Sequence, residues 1–200
     1  MDINLTQRLK SKMAPRARVR NRYSSSEMYG IVNGWITPKQ WFNPPEKNMK
    51  ELLNMWNGTG MHNQLEELMG VDNSEKKIEY LYKNIVLVGK ADFLPVHKPE
   101  EVWEFKTSEN VMDQAKPWHE YQAKLYTTLF NRKQGLVFQP VQNDQGLFLR
   151  HIGTVERDDT WFIAEIEKLY VFHLKVEEIW QEQEPVKIVS ASVSKIHKNK

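Results

Sequence analysis

The period of the apolar positions changes several times along the chain. Over residues 48–56 Met49, Leu52, Leu53 and Trp56 recur at helical spacing, and over 61–69 Leu65, Leu68 and Met69 do so again, with Gly58 and Gly60 predicting a break between the two helices. Two shorter helical starts precede them. One spans 24–32, with a serine cap and Glu27 in its first turn; the other opens at Thr37-Pro38 and stops at Pro44-Pro45 after Trp41. From Lys76 onward the runs become short and β-prone. Residues 78–81 and 85–88 flank Lys83-Asn84 as a hairpin, the second run continues to Phe93, and 102–106 adds a further strand. Helical spacing returns over 118–130. A second hairpin follows, 136–141 with 147–155, joined across Asn143-Asp144-Gln145-Gly146. A long helix over 160–181 then offers Ile163, Ile166, Leu169, Tyr170 and His173 to a core. Helices before, between and after the strands predict one α/β domain, a mixed central sheet with helices on both faces.

A chain of 200 residues with 40% apolar and 11% aromatic positions has the means to build that core. It holds no cysteine, which excludes disulfides, thiolate zinc sites, cysteine-ligated iron–sulfur clusters and cysteine nucleophiles, so any metal must sit on nitrogen and oxygen. No apolar run approaches the roughly 20 residues needed to cross a bilayer, and no secretory signal region follows the start. The Arg- and Ser-rich opening has some features of an organelle transit peptide, but Asp2 and the lack of an amphipathic face argue against one. The expectation is a cytoplasmic protein of a prokaryotic cell or of a virus- or phage-infected host.

The net charge of +2 is unevenly spread. Arg8, Lys10, Lys12, Arg16, Arg18, Arg20 and Arg22 make residues 1–22 a basic arm. Lys187, Lys195, Lys198 and Lys200 make 187–200 a basic tail. The domain between them, 23–186, carries 17 basic and 25 acidic residues, a net of −8. Basic arms release counterions from a phosphate backbone, and an acidic body suits carboxylates gathered around divalent cations. Solvated tails without a ligand are the simpler reading of such charge runs taken alone.

The chemistry concentrates at Asp92 and Glu104-Phe105-Lys106. On a strand Glu104 and Lys106 share one face while Phe105 points into the core, and Asp92, twelve residues earlier near the end of the preceding strand, can be brought beside Glu104 by a meander. Two carboxylates at one place are costly unless a cation lies between them, and Mg²⁺ or Mn²⁺ prefers such oxygen ligands. A neighbouring lysine, its pKa lowered by cation and burial, is placed to position and help deprotonate an attacking water.

In these residues the chain resembles the PD-(D/E)XK nuclease superfamily, and within it the RecB-like branch, over about residues 23–130. The order supports the likeness: His62 thirty residues before Asp92, then Asp92, then Glu104-Phe105-Lys106, then Gln122-Ala-Lys-Leu-Tyr126, whose spacing puts Gln122 and Tyr126 on one helix face. Tyr23-Ser-Ser-Ser-Glu and Trp41-Phe42 add softer support. The resemblance implies a restriction-endonuclease-like fold and metal-dependent hydrolysis of DNA. His62, Asp92, Glu104 and the Phe105 main-chain carbonyl would hold Mg²⁺ or Mn²⁺, and Lys106 would orient the water. Gln122 would keep the lysine or the scissile region in register, Tyr126 would contact a DNA phosphate or terminal base, and Glu66 would serve a second ion or its water. CRISPR-associated RecB-like nucleases often carry a four-cysteine iron–sulfur cluster, which this chain lacks. That absence argues against a direct role in spacer acquisition, and the Gln122-x-x-x-Tyr126 feature, through the resemblance, implies an exonuclease working on DNA ends or single strands in recombination, repair or phage DNA processing, with a recombination or replication protein as the expected partner. The alternatives are a structure-specific endonuclease and a non-catalytic nucleic-acid-binding module. The seven tryptophans are expected mostly in the core, with base stacking by Trp56 and Trp118 an alternative that is not adopted.

Overall fold

The computed structural model describes residues 9–11, 18–70 and 74–183. Arg8, Lys12 and Arg16 of the basic arm and all of the tail from 187 lie outside the described residues. Strand β1 (Arg22–Ser24) leads into helix α1 (Ser25–Val32), followed by α2 (Pro38–Phe42) and α3 (Met49–Met69). Then come β2 (Ser74–Tyr82), β3 (Ile85–Phe93), β4 (Glu101–Phe105), α4 (Pro117–Leu129), β5 (Gln134–Asn143), β6 (Gly146–Glu156) and α5 (Asp159–Gln183). The strands form one six-stranded mixed sheet flanked by helices, as the hydrophobic pattern predicts.

Strands β2 and β3 form a hairpin in register Tyr82↔Ile85, its two-residue loop closed by Lys83 at φ 50°. The other edge of β3 is divided. Its first half pairs in parallel with β1, from Arg22↔Val86 to Ser24↔Val88, whereas its far end meets antiparallel β4 at one registered pair, Phe93↔Trp103. Strand β4 runs parallel to β5, as the α4 crossover between them requires, and β5 turns back into β6 across a hairpin closed at Asn143↔Gly146. Alternation along β4 separates two layers. Val102 joins the main core with Leu125, Tyr126 and Leu129 of α4, Phe162, Ile166 and Leu169 of α5, and Met28 and Trp41. Phe105 joins a smaller cluster with Leu65 of α3 and Phe93.

Three details depart from the sequence reading. The two helices expected around Gly58 and Gly60 are one, since a helix tolerates glycine at a cost of about 1 kcal/mol each. At Gly58 a side chain would stand 3.1 Å from Thr107 Oγ1, so the missing Cβ lets α3 lie against the segment after β4. Leu53, Leu68 and Ile163 face solvent, and α3 buries Leu52 and Leu65 instead. His173, offered to the core by the spacing of α5, is indeed fully buried, between Tyr23 OH at 3.0 Å from Nδ1 and Asn84 Nδ2 at 3.1 Å from Nε2. Finally, the described cations of the basic arm are tied to the body: Lys10 to Glu46 (2.9 Å), Arg18 to Glu27 (2.7 Å), Arg20 to Glu177 (2.7 Å) and Arg22 to Glu79. Among the described residues no helix is long and apolar enough to cross a membrane.

Helix α4 sits so close on β5 that a Cβ at Gly135 would fall 2.8 Å from the Ala123 carbonyl oxygen, a backbone atom that cannot step aside without moving the helix. Gly135→Ala is expected to lower stability by about 1–3 kcal/mol, read as an earlier urea midpoint. An unchanged midpoint would mean that this packing is looser than the coordinates show.

Candidate active site

The site lies where β3 and β4 part. Beyond Phe93↔Trp103 the ladder is replaced by a side chain: the Asp92 carboxylate accepts the Phe105 N–H at 2.7 Å. Helix α3 brings His62 from one side, its Nδ1 3.4 Å from the other Asp92 oxygen. Helix α4 closes the other side. Lys106, just past β4, donates from Nζ to Glu104 Oε1 and to Gln122 Oε1, the latter at 2.9 Å. Gln122 Nε2 in turn donates to the Tyr126 hydroxyl at 2.8 Å, and that hydroxyl lies 3.0 Å from Ser25 Oγ. One continuous chain of polar contacts thus runs from Glu104 to the first residue of α1.

Glu104 is 1% exposed, and its Oε2 is buried with no hydrogen-bond partner. Burial, reinforced by the charge of Asp92, pushes its carboxyl up to about 8 against the pull of Lys106 and His62. Burial also opposes the charged form of Lys106, but Glu104 and Asp92 outweigh it and leave the ammonium held above its ordinary value. The lowered lysine expected from sequence belongs to a site that holds a cation; without one, the carboxylates around Nζ favour its charge more than burial disfavours it. His62 behaves likewise: burial lowers it, Asp92 and Glu104 raise it, and the net direction is up. The site therefore retains protons.

Among the described residues no three His, Asp or Glu side chains form a ready-made cage for an ion, because Glu104 commits one oxygen to Lys106 and Asp92 commits one to the Phe105 amide. The donors nevertheless suit a hard divalent cation. An orphaned carboxylate oxygen, a second carboxylate and an imidazole lie together, and an oxygen buried without a partner costs roughly 1–3 kcal/mol or more unless something compensates it. Asp92, Glu104 and His62 are the residues that would hold such an ion.

The remaining expected residues fall into place unevenly. Gln122 meets Lys106 directly. Tyr126 is 1% exposed, its ring in the main core, so the phosphate or base contact expected for it gives way to a positioning role through Gln122. The Phe105 side chain is buried and its N–H is spent on Asp92. Glu66, one turn beyond His62 on α3, is half-buried and already engaged by a neighbour. Ser25 was not foreseen beyond helix capping, since a contact spanning 101 residues leaves no local signal.

No family model and no curated protein matches the chain. Solved structures do. The alkaline exonuclease LHK-Exo from Laribacter hongkongensis superposes with a TM-score of 0.56 at 14% identity, covering 86% of this chain and 95% of that one. Its structure in complex with dAMP gives 0.55. A phage-related exonuclease from Haemophilus somnus gives 0.53 at 13% identity, covering 83% and 98%. The chain has the fold of these exonucleases. At such identities the likeness shows the sheet and its helices alone.

Because the folded state holds the Glu104 proton more tightly than the unfolded chain, whose value is near 4.5, its stabilising contribution is complete below that value and is lost as pH rises through about 8. In EDTA, wild type is expected to melt progressively lower relative to Glu104→Gln as pH goes from 5 to 9. A difference that stays constant with pH would show that Glu104 is not held protonated.

Proposed function

We propose that this protein is a metal-dependent deoxyribonuclease of the PD-(D/E)XK superfamily, RecB-like in its motif order, that removes nucleotides from DNA ends. The reading rests on one observation above all: Asp92, Glu104 and Lys106, with Gln122 holding the lysine, converge at a strand fork. Two neighbours in fold are exonucleases by name, and one of them was determined with dAMP, which supports end-directed cleavage over internal cutting.

A divalent cation bound by Asp92, Glu104 and His62 would supply Lewis-acid stabilisation of the charge that builds on phosphate oxygens. The chain's own residues do the rest. Lys106, fixed by Gln122, directs an ammonium N–H toward the attacking water or the phosphate and holds charge there through the transition state. Tyr126 and Ser25 keep Gln122 in its rotamer, so that the lysine does not swing away. Burial of Glu104 keeps bulk water from screening these charges.

Wild type incubated with end-labelled single- and double-stranded DNA in Mg²⁺ or Mn²⁺ is expected to release short products progressively from the ends. Glu104→Ala and Lys106→Ala should each lower the rate by about 10²–10⁴-fold. In a parallel thermal-shift assay, Mn²⁺ should raise the melting temperature of wild type but not that of an Asp92→Asn, Glu104→Gln double variant. Ion-dependent cutting retained by both alanine variants would overturn the site, and internal cuts without end release would overturn the exonuclease reading.

A further inference from the structure

A cleft of about 1090 Å³ has walls that include Arg22, Ser24, Ser26, Tyr29, Trp35 and Trp118, so it reaches the residues on either side of Ser25, where the chain of contacts from Glu104 ends. Its aromatic content is unusual for a surface. Trp35 is 60% and Trp118 41% exposed, neither belongs to a core cluster, and their ring centroids stand 6.2 Å apart at 69°. Tyr29 joins them, edge-on to Trp35 at 4.9 Å and tilted by 52° to Trp118 at 6.4 Å. Rings in edge-to-face contact do not stack on one another, so broad faces stay available to a further flat partner.

Trp35 is held outward by the backbone. Its N–H and that of Ile36 both donate to the Gly30 carbonyl, at 2.8 and 3.0 Å, and Gly34 reaches φ 74° to make that turn. Trp118 is the second residue of α4, four residues before Gln122, which puts its Cα about 6 Å along the helix, on the same face, from that of the residue that grips Lys106. The Lys116 ammonium stands 5.2 Å from the Trp118 ring centre and Lys47 lines the same cleft, giving the aromatic surface a cationic margin, whereas Arg22 on the same wall is paired with Glu79.

We propose that Tyr29, Trp35 and Trp118 form a platform on which unpaired DNA bases stack next to the scissile phosphate, so that a single-stranded end is the form of substrate this site takes. Stacking on exposed rings is indifferent to sequence, and cations at the margin meet the accompanying phosphates. The cleft lies at the upper end of the size of small-ligand sites and is walled on one side by flat rings, which suits a short run of nucleotides more than one compact metabolite. The inference builds on the nuclease reading of the fork, and its test is a binding measurement that needs no cleavage.

Fluorescence anisotropy with labelled 12-mer oligothymidylate and with a blunt duplex, both in EDTA, separates the two ideas. Trp35→Ala and Trp118→Ala should each weaken oligothymidylate binding by about 5- to 150-fold, Trp35→Phe and Trp118→Phe should recover most of it, and duplex affinity should change less than about two-fold. Circular dichroism checks each fold. Should an alanine variant misfold, photocrosslinking of 5-iodouracil oligonucleotide to wild type decides: peptides carrying Trp35 or Trp118 are expected, and crosslinks only elsewhere would overturn the platform. Unchanged oligothymidylate affinity in folded alanine variants would overturn it too, as would a loss of oligomeric mass in those variants with affinity intact, which would assign the patch to contact between copies. If Lys106→Ala cuts DNA normally while the tryptophan variants lose binding, the nuclease site is misplaced and the platform stands.

Discussion

The structure turns on a carboxylate that has nowhere to go. Glu104 is enclosed, beside a second acid, with one oxygen held by Lys106 and the other facing no donor. Burying a charge this way is unfavourable unless it is neutralised, by a proton, by an ammonium or by a cation, and the ion-free protein uses the first two. The raised proton affinities of Glu104, His62 and Lys106 all follow from that one enclosure, although burial itself works against charge on the histidine and the lysine. An environment that holds protons tightly where two acids meet is one in which a divalent cation has something to displace and something to gain.

The fold creates the enclosure by letting two strands part. Had β3 and β4 paired along their length, the Phe105 N–H would have been free for the sheet and Asp92 for solvent. The single registered pair instead leaves a gap that Asp92 bridges and that α3 and α4 cap from opposite layers. Behind it the chain of contacts through Gln122, Tyr126 and Ser25 runs into the main core, so the position of the lysine is set by residues with no access to substrate. The same helix that grips Lys106 carries Trp118 at its start, and thus one element both holds the lysine and borders the aromatic cleft.

Much of this was legible in the chain because period and spacing are local. The alternation over 78–93, the two-residue turn at Lys83-Asn84 and the Thr37-Pro38 cap produce the elements they predict. Glu-x-Lys places its two charged groups on one face of a strand wherever that strand lies, which is why their contact could be foreseen. What escaped depends on distance. Strand β1 has three residues and no period, and it exists only because β3 offers it an edge. The continuity of α3 past Gly58 is decided by what lies opposite that glycine, and the burial of Tyr126 by the layers packed around it. The proton affinity of Lys106 in the ion-free protein follows from the charges of Asp92 and Glu104 weighed against burial, a balance of positions that spacing does not carry.

The central claim is that the orphaned oxygen of Glu104 marks the place of a cation. Anomalous diffraction from crystals soaked in Mn²⁺ tests it most directly. A peak about 2.0–2.2 Å from Glu104 Oε2 and an Asp92 oxygen, with His62 turned toward it, is the result expected. A Mn²⁺ peak elsewhere on the molecule, with Glu104 still bound to Lys106 and its second oxygen still alone at saturating ion, would contradict the account.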